Sequence, residues 1–328
     1  MELDMTKGSP FRLIVKFIIP IILGNLFQQL YNLADTVIVG RFVGVQALAA
    51  VGATGTISFL ILGFLQGLTT GFTVQTAQRF GAGDLEGMKK SVGNAAVLSV
   101  VVTVVMTAGS VLIMDWLLRI MQTPEDILEM SKTYILIICW GMGFSVLYNL
   151  LSSILRAVGN TRQPLYFLSI SGVVNVILNL FLVIRFHMGV AGVAIATVIS
   201  QYISAALIIL CLMRTEGCLQ FHPKQLALKP DKVWAILRIG LPAGLQSTVF
   251  SISNVLIQSS INSFGALAMA GSAAASNLEG FIYTAMNAIS QAALAFVGQN
   301  VGGRQYHRIH RITWICLSVV FIVGVTMS

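Results

Sequence analysis

Nine long apolar stretches dominate this 328-residue sequence. A helix needs about 20 predominantly apolar residues to cross the hydrocarbon core of a bilayer, and these stretches reach or approach that length. We therefore predict an all-α polytopic membrane protein. The first stretch is too long for the apolar part of a signal peptide and contains Asp35 instead of a small-residue cleavage site. The expected spans are 12–39, 46–72, 91–118, 131–155, 163–185, 189–213, 232–262, 267–298 and 312–328.

The composition excludes most soluble classes of protein. Only 10% of the residues are charged, against about 25% in a typical soluble domain, and 56% are apolar. This leaves too little polar surface for a soluble enzyme, a nucleic-acid-binding domain or a disulfide scaffold. The four cysteines show no C-x-x-C spacing, so no zinc site is expected. Because the spans also lack a converging set of catalytic groups, we predict neither an enzyme nor a bound cofactor.

Lysine and arginine are distributed unevenly between the two ends of the spans. If the N-terminus is cytoplasmic, all of them lie on the cytoplasmic side except Arg41, Arg119, Lys132 and Arg185. This bias follows the positive-inside rule and predicts a multi-pass protein of a bacterial inner membrane with a cytoplasmic N-terminus. The net charge of +8 then requires no nucleic-acid partner. The lipid bilayer is the expected partner, and we infer no obligate protein partner.

The first and seventh spans share a sequence pattern, which indicates an internal repeat. Because six spans separate the two copies, both copies have the same orientation in the membrane. The second copy contains three spans, so we expect the chain to lack three further helices. The expected units are a six-helix lobe at 1–213, a cytoplasmic linker at 214–231 and a partial second lobe at 232–328. The matched pairs are Pro20 with Pro242, Leu23 with Leu245, Asn32 with Asn254, Gln78 with Gln299, and Gly81 with Gly302.

Each of the two matched spans carries a proline in its interior. A proline there removes a backbone hydrogen bond and bends the helix. Pro20 and Pro242 are therefore predicted bend points in the two helices that face a cavity between the lobes. A static packing kink is the alternative interpretation.

Four polar residues from three spans are expected at one depth of the first lobe. Asp35 lies six residues before Arg41, about 9 Å inside the boundary at 1.5 Å per residue, and Asn179 lies at a similar distance from Arg185. An intramembrane acid usually marks function, so Asp35, with Asn175, Asn179 and Thr197, is a candidate site for coupling H⁺ or Na⁺. The alternative is an aspartate that only joins helices through hydrogen bonds.

A second group of polar residues is expected to line the substrate cavity. Glu279 lies near the middle of the eighth span and could attract cationic substrates, or it could simply bond to neighbours such as Ser276. Ile257 occupies the repeat position of Asp35, so ion coupling should be confined to the first lobe. The expected cavity residues are Gln28, Asn32, Asn254 and Glu279.

Five segments carry a distinctive pattern: 28–44 (QQLYNLADTVIVGRFVG), 47–52 (ALAAVG), 78–83 (QRFGAG), 155–159 (LRAVG) with Pro164, and 188–197 (MGVAGVAIAT). Together they resemble bacterial multidrug and toxic compound extrusion (MATE) transporters. The resemblance implies twelve helices in two six-helix lobes that open alternately to each side of the membrane. It also implies export of cationic, amphiphilic small molecules in exchange for H⁺ or Na⁺.

The resemblance assigns the helix-1 acid of the family to Asp35, and it assigns the helix-5 asparagine and helix-6 threonine to Asn175 and Thr197. The sequence departs from the family at Asn179, where many members carry a second aspartate, and at 250–252, where some carry a glutamate. Two alternatives stay open. A lipid-linked oligosaccharide flippase would require basic residues in its cavity, and a non-transporting membrane subunit would not alternate.

Overall fold

The computed structural model describes residues 3–120, 125–214, 230–262 and 266–327, and all regular secondary structure in these ranges is helical. Two π-helical turns, Val39–Val43 and Phe181–Arg185, extend α1 and α5. The helices are α1 (Pro10–Ile38), α2 (Val45–Gly81), α3 (Leu85–Ile120), α4 (Glu125–Ala157), α5 (Arg162–Leu180), α6 (Gly189–Arg214), α7 (Pro230–Asn262), α8 (Ala266–Gly302) and α9 (Tyr306–Met327).

The helices follow the order of the nine apolar stretches, which confirms the predicted fold class. Within the described ranges, seven helices are long and apolar enough to cross a membrane, and Val45–Gly55 is a shorter apolar helix. The seven are Pro10–Val43, Leu85–Leu118, Glu125–Ala157, Arg162–Arg185, Gly189–Arg214, Val233–Asn254 and Tyr306–Thr326. The chain is therefore a multi-pass membrane protein.

The turn between α2 and α3 shows how short polar segments terminate the helices. Asp84 Oδ1 accepts a hydrogen bond from the backbone N–H of Gly87 in the first turn of α3 (2.8 Å). A side-chain oxygen in this position satisfies an N–H group that has no partner within the helix. Asp84 also forms an ion pair with Arg79 at the end of α2 (2.6 Å). Together these contacts reverse the chain within a few residues.

Consecutive helices run in opposite directions, so the bundle has two ends. The starts of α2 and α4 meet at one end, where Ser131 Oγ donates to the carbonyl of Ala50 (3.4 Å). At the other end, Oε1 of Gln299 in the last turn of α8 accepts from the backbone N–H of Met5 before α1 (2.9 Å). We call this second end the basic face, because it carries most of the Lys and Arg residues.

Helix α4 packs against α2, α3 and α6. Buried residues of these helices form a continuous apolar core, to which α7 adds Ile236. On the other side of the bundle, α1 packs against α5 and α5 against α6. This second contact brings the ends of α1 and α5 together, away from the basic face.

Helices α7–α9 join the first six mainly through α2 and α1. Helix α2 packs against α7 and α8, and α1 packs against α8. Because α7 and α8 are the repeat equivalents of α1 and α2, the contacts α2–α7 and α1–α8 are reciprocal. An added Cβ at Gly67 would overlap the backbone of Gly244, so only glycines permit this approach of α2 and α7.

The reciprocal arrangement extends to individual residues at the basic face. An added Cβ at Gly81 would overlap the carbonyl of Gln299, and one at Gly302 would overlap the carbonyl of Gln78. These are the residues that the sequence repeat pairs with each other. The ends of α2 and α8 therefore meet about an approximate two-fold axis.

Two further predictions concern the internal prolines and the segment between the two units. Pro20 and Pro242 both lie inside single helices, and their role as bend points stays a prediction. Most of the expected linker at 214–231 lies outside the described residues, because 215–229 are not among them.

Candidate functional site

The buried ends of α1 and α5 are joined by a hydrogen bond between Asp35 and Asn179. Nδ2 of Asn179 donates to Oδ1 of Asp35. Asp35 lies in the last turn of α1 and Asn179 in the last turn of α5, each just before a π-helical turn. The carboxyl group is thus held between two helices, and its depth in the membrane stays a prediction.

The network continues from Asn179 into α6. Nδ2 of Asn179 also donates to Oδ1 of Asn175, one helical turn away (3.2 Å). Nδ2 of Asn175 in turn donates over longer distances to Thr197 Oγ1 and Ser200 Oγ (both 3.5 Å). The structure therefore brings the four predicted coupling residues into one network and adds Ser200, which the sequence analysis missed.

The hydrogen bonds in this network run outward from the amide of Asn179, towards Asp35 on one side and towards α6 on the other. The hydroxyl protons of Thr197 and Ser200 are used by backbone carbonyls of α6, those of Val193 (3.0 Å) and Thr197 (2.7 Å). Their oxygens can therefore only accept from Asn175, whose own oxygen accepts from Asn179. Asn179 is therefore the donor that the network supplies to Asp35, and this bond stabilises negative charge on the carboxylate.

The burial of these side chains leaves one acceptor without a partner. Asn175 and Asn179 are completely buried, whereas Asp35 and Thr197 are partly exposed. Oδ1 of Asn179 is buried and makes no hydrogen bond within the described structure. An unpaired buried acceptor costs free energy, so an additional proton or cation beside Asp35 would be stabilised here.

Tyr31 occupies the turn of α1 before Asp35 and connects α1 to α6. Its hydroxyl lies near the side chains of Gln28 and, in α6, Gln201. An added Cβ at Gly172 of α5 would lie 3.1 Å from Cδ1 of Tyr31, so the small residue makes room for the ring. Sequence reasoning missed Tyr31, although its spacing of four residues places it on the same face of α1 as Asp35.

A cavity of about 200 Å³ lies next to this network, between α1, α2, α4 and α6. Thr197 belongs to both, because it accepts from Asn175 and also lines the cavity. Gln28 and Asn32 are among the lining residues, as the sequence analysis expected. Other polar lining groups are Tyr31, Ser58, Gln66, Thr69, Ser145, Asn149 and Gln201.

The other two expected cavity residues lie elsewhere. Asn254 of α7 and Glu279 of α8 are exposed and are not among the residues that line this cavity. Ile257, the repeat equivalent of Asp35, is also exposed. The cavity thus belongs to the first six helices.

A polar contact between the two repeats was not predicted from the sequence. Nη1 of Arg156, near the end of α4, donates to Oε1 of Gln291 in α8, and Nε donates to the carbonyl of Ser152 (3.2 Å). Arg156 lies in the LRAVG segment, for which the sequence suggested only a helix end.

The oxygen atoms near Asp35 are the natural ligands for a hard cation. Among the residues that the structure describes, no three His, Cys, Asp or Glu side chains lie close enough to hold a metal ion together. The site instead offers one carboxylate with amide and hydroxyl oxygens. This donor set suits a proton or Na⁺ better than a transition metal.

A sequence model of the MatE family matches residues 20–181 and 242–328. These two segments begin at the repeat-equivalent prolines and together make up more than half of the chain. Two relatives are named probable multidrug resistance proteins. YpnP of Bacillus subtilis is 31% identical over 299 residues, covering 91% of this chain and 67% of the relative. NorM of Thermotoga maritima is 30% identical over 325 residues, covering 95% and 68%.

The fold has a counterpart among solved structures. A MOP superfamily transporter from Pyrococcus furiosus superposes with a TM-score of 0.92 at 24% sequence identity, covering 98% of this chain and 72% of that one. The similarity at this level of identity concerns the fold. With the family match and the curated relatives, it shows that the chain is a membrane transporter rather than an enzyme, and that it belongs to the MatE family of multidrug and toxic compound extrusion transporters.

Proposed function

We propose that this transporter exports cationic, amphiphilic small molecules in exchange for H⁺ or Na⁺, with Asp35 as the coupling group. One observation carries the proposal: an intramembrane carboxylate accepts a hydrogen bond from the buried amide of Asn179, whose own oxygen has no partner in the described structure. Polar groups of this kind inside a membrane mark ion and proton pathways. The expected location is a bacterial inner membrane.

Protonation of Asp35 would change the network in a defined direction. A protonated carboxyl becomes a donor, and Oδ1 of Asn179 is the adjacent acceptor without a partner. Rotation of the Asn179 amide to accept this proton would break its bond to Asn175. Asn175 would then be free to change its contact with Thr197, which lines the cavity. Ion binding is thereby linked to the shape of the cavity.

Sodium would use the same atoms as ligands. The carboxylate of Asp35, Oδ1 of Asn179 and Oγ1 of Thr197 are hard oxygen donors of the type that alkali and alkaline-earth cations prefer. A bound cation would satisfy the unpaired oxygen of Asn179 without rotation of the amide. We therefore expect Asn179 to adopt different conformations with H⁺ and with Na⁺.

The cavity is suited to a positively charged or neutral guest. None of its lining residues is Lys or Arg, and the Tyr31 ring can interact with a cation. This disfavours a lipid-linked oligosaccharide flippase, whose pyrophosphate would need basic side chains. At about 200 Å³ the cavity is smaller than typical drug sites of roughly 300–1,000 Å³, so it would hold part of a drug-sized substrate in this conformation.

Alternating access would arise from relative movement of the units at 1–213 and 232–328. The reciprocal contacts of α2 with α7 and of α1 with α8 support this division, because they are the contacts expected between two repeat-related units. The positive-inside rule places the basic face in the cytoplasm. Pro20 and Pro242 would then bend the equivalent helices α1 and α7.

The test is gradient-driven transport by the full-length protein in proteoliposomes, with a fluorescent organic cation as substrate. We expect Asp35→Asn to abolish transport driven by either a pH or a Na⁺ gradient while the protein still inserts. Glu279→Gln, which alters the other acid well inside a predicted span, is the matched control and should retain transport. Unchanged transport by Asp35→Asn would refute the role of Asp35, and the gradient that drives the parent protein identifies the ion.

A further inference from the structure

The N-terminal segment before α1 is held between the two repeat-related parts of the molecule. We call residues 3–8 the N-terminal strap. The backbone N–H of Leu3 donates to the carbonyl of Val158, in the turn after α4 (3.0 Å). Two residues later, the N–H of Met5 donates to Gln299 in the last turn of α8 (2.9 Å). The strap therefore bonds to both parts within three residues.

Gln299 connects all three segments at this point. Its Oε1 accepts from Met5, while its Nε2 donates to the carbonyls of Ala157 (2.7 Å) and Leu3 (3.5 Å). The neighbouring Asn300 donates through Nδ2 to the carbonyl of Met5 (3.2 Å). Both amide side chains are completely buried, so their bonds are shielded from water. These two residues therefore bind backbone N–H and C=O groups of the strap, as a peptide-binding site does.

Side-chain packing supports the same arrangement. Met5 is completely buried in an apolar cluster that includes Ile14 and Phe17 of α1, Phe296 of α8 and Ile312 of α9. Gly159, at a φ of +90°, packs directly against Leu3, and a side chain at this position would overlap it. Further along the strap, the carbonyl of Gly8 accepts from Nη2 of Arg308 in α9 (2.9 Å).

We propose that the turn at 157–159, Gln299 and Asn300 form a docking surface for the N-terminal strap, and that the strap must leave this surface before the basic face can open. A segment that is bonded to both parts opposes their separation, because its bonds to one of the parts must break before the two can move apart. The inference rests on the alternating access proposed above. It does not depend on Asp35 or on the identity of the transported ion.

The first test uses hydrogen–deuterium exchange of the full-length protein in nanodiscs, without substrate or gradient. Gln299→Met removes the bonds to the strap and the bond to the carbonyl of Ala157, but keeps the side-chain volume. We expect exchange to become about fivefold faster, the effect of one net hydrogen bond, both in the strap and in residues 78–84 at the end of α2. Gln78→Met alters the repeat equivalent of Gln299 and is the matched control. Faster exchange in the strap alone would overturn the proposal, because the strap would then anchor only itself.

The second test holds the strap in place covalently. In a protein without its four native cysteines, Thr6→Cys and Gly303→Cys create a pair that can form a disulfide. An added Cβ at Gly303 lies 3.1 Å from Cγ2 of Thr6, so the positions are close enough. The oxidised protein should show at least about tenfold slower exchange in 78–84 and no transport, and a reductant should restore both. Equal exchange in the oxidised and reduced forms would overturn the proposal, with each single-cysteine variant as a control.

Discussion

The repeat-equivalent helices α1 and α7 have similar sequences at their starts and different surroundings at their ends. Both contain an internal proline, and each packs against the second helix of the other repeat, α1 against α8 and α7 against α2. At the far end, however, Asp35 of α1 bonds to Asn179, whereas Ile257 of α7 has 57% of its surface exposed. The repeat thus preserves the contacts between the two parts, while among the described residues the polar network lies in the first part.

The same contrast appears at the basic face. Gln78 and Gln299 are equivalent, and their carbonyls meet the opposite glycines in the same way. Only the side chain of Gln299 bonds to the N-terminal strap. The backbone contacts at this face are therefore reciprocal, whereas the side-chain bonds to the strap are made by Gln299 and not by its equivalent Gln78.

The largest expected effect comes from exchanging the two repeat-equivalent residues. Asp35→Ile with Ile257→Asp should reduce transport to the level of empty vesicles, although the composition is unchanged. Ile257 is largely exposed, and an ionised group in the bilayer centre costs at least about 2.5–3.5 kcal/mol. Transport in proteoliposomes measures this, and activity of the double variant would show that the two positions are interchangeable.

The glycine contact between α2 and α7 should be the next most sensitive feature. Gly67→Val places a side chain against the backbone of Gly244 and should destabilise the protein by about 1–3 kcal/mol. Gly55→Val, in the same helix, is the control because nothing lies within 4 Å of a Cβ there. Thermal unfolding in detergent compares the two, and equal melting temperatures would contradict the close approach.

Asn179→Asp would increase the contrast between the ends of α1 and α7, because it adds a second carboxylate beside Asp35. Two adjacent anions repel each other, so Na⁺ should stabilise the variant more than the parent protein. Thermal unfolding at increasing NaCl, with KCl at equal ionic strength as the control, measures this effect. Sodium at 100 times its dissociation constant would contribute about 2.7 kcal/mol. An identical response to both salts would argue against a Na⁺ site.

Ser200→Ala should have the smallest effect. Its bond to Asn175 is long, at 3.5 Å, and Thr197 offers Asn175 a second acceptor at the same distance. A loss of about 0.5–1 kcal/mol in unfolding free energy is expected, without loss of transport. A complete loss of transport would indicate that Ser200 is itself part of the coupling site.

The sequence was sufficient to predict the helices and their order, because apolar stretches of span length leave few other folds. It also predicted a common depth for Asp35 and Asn179, since each lies six residues before an arginine at a span boundary. It could not predict the bonds of Gln299, because they depend on a strap almost 300 residues away in the chain. Nor could it place Glu279 or Asn254, whose depth gives no information about the direction of the side chain.

The glycine-lined meeting of α2 with α7 and α8 has a mechanical consequence. Interlocked side chains must be withdrawn from their pockets before two helices can part, which makes separation slow. Helices that contact each other through glycine backbone have no interlocked side chains to withdraw. The contacts at Gly81 and Gly302 allow these helices to return to the same register. Such a helix–helix contact can separate and re-form many times with little rearrangement of either surface.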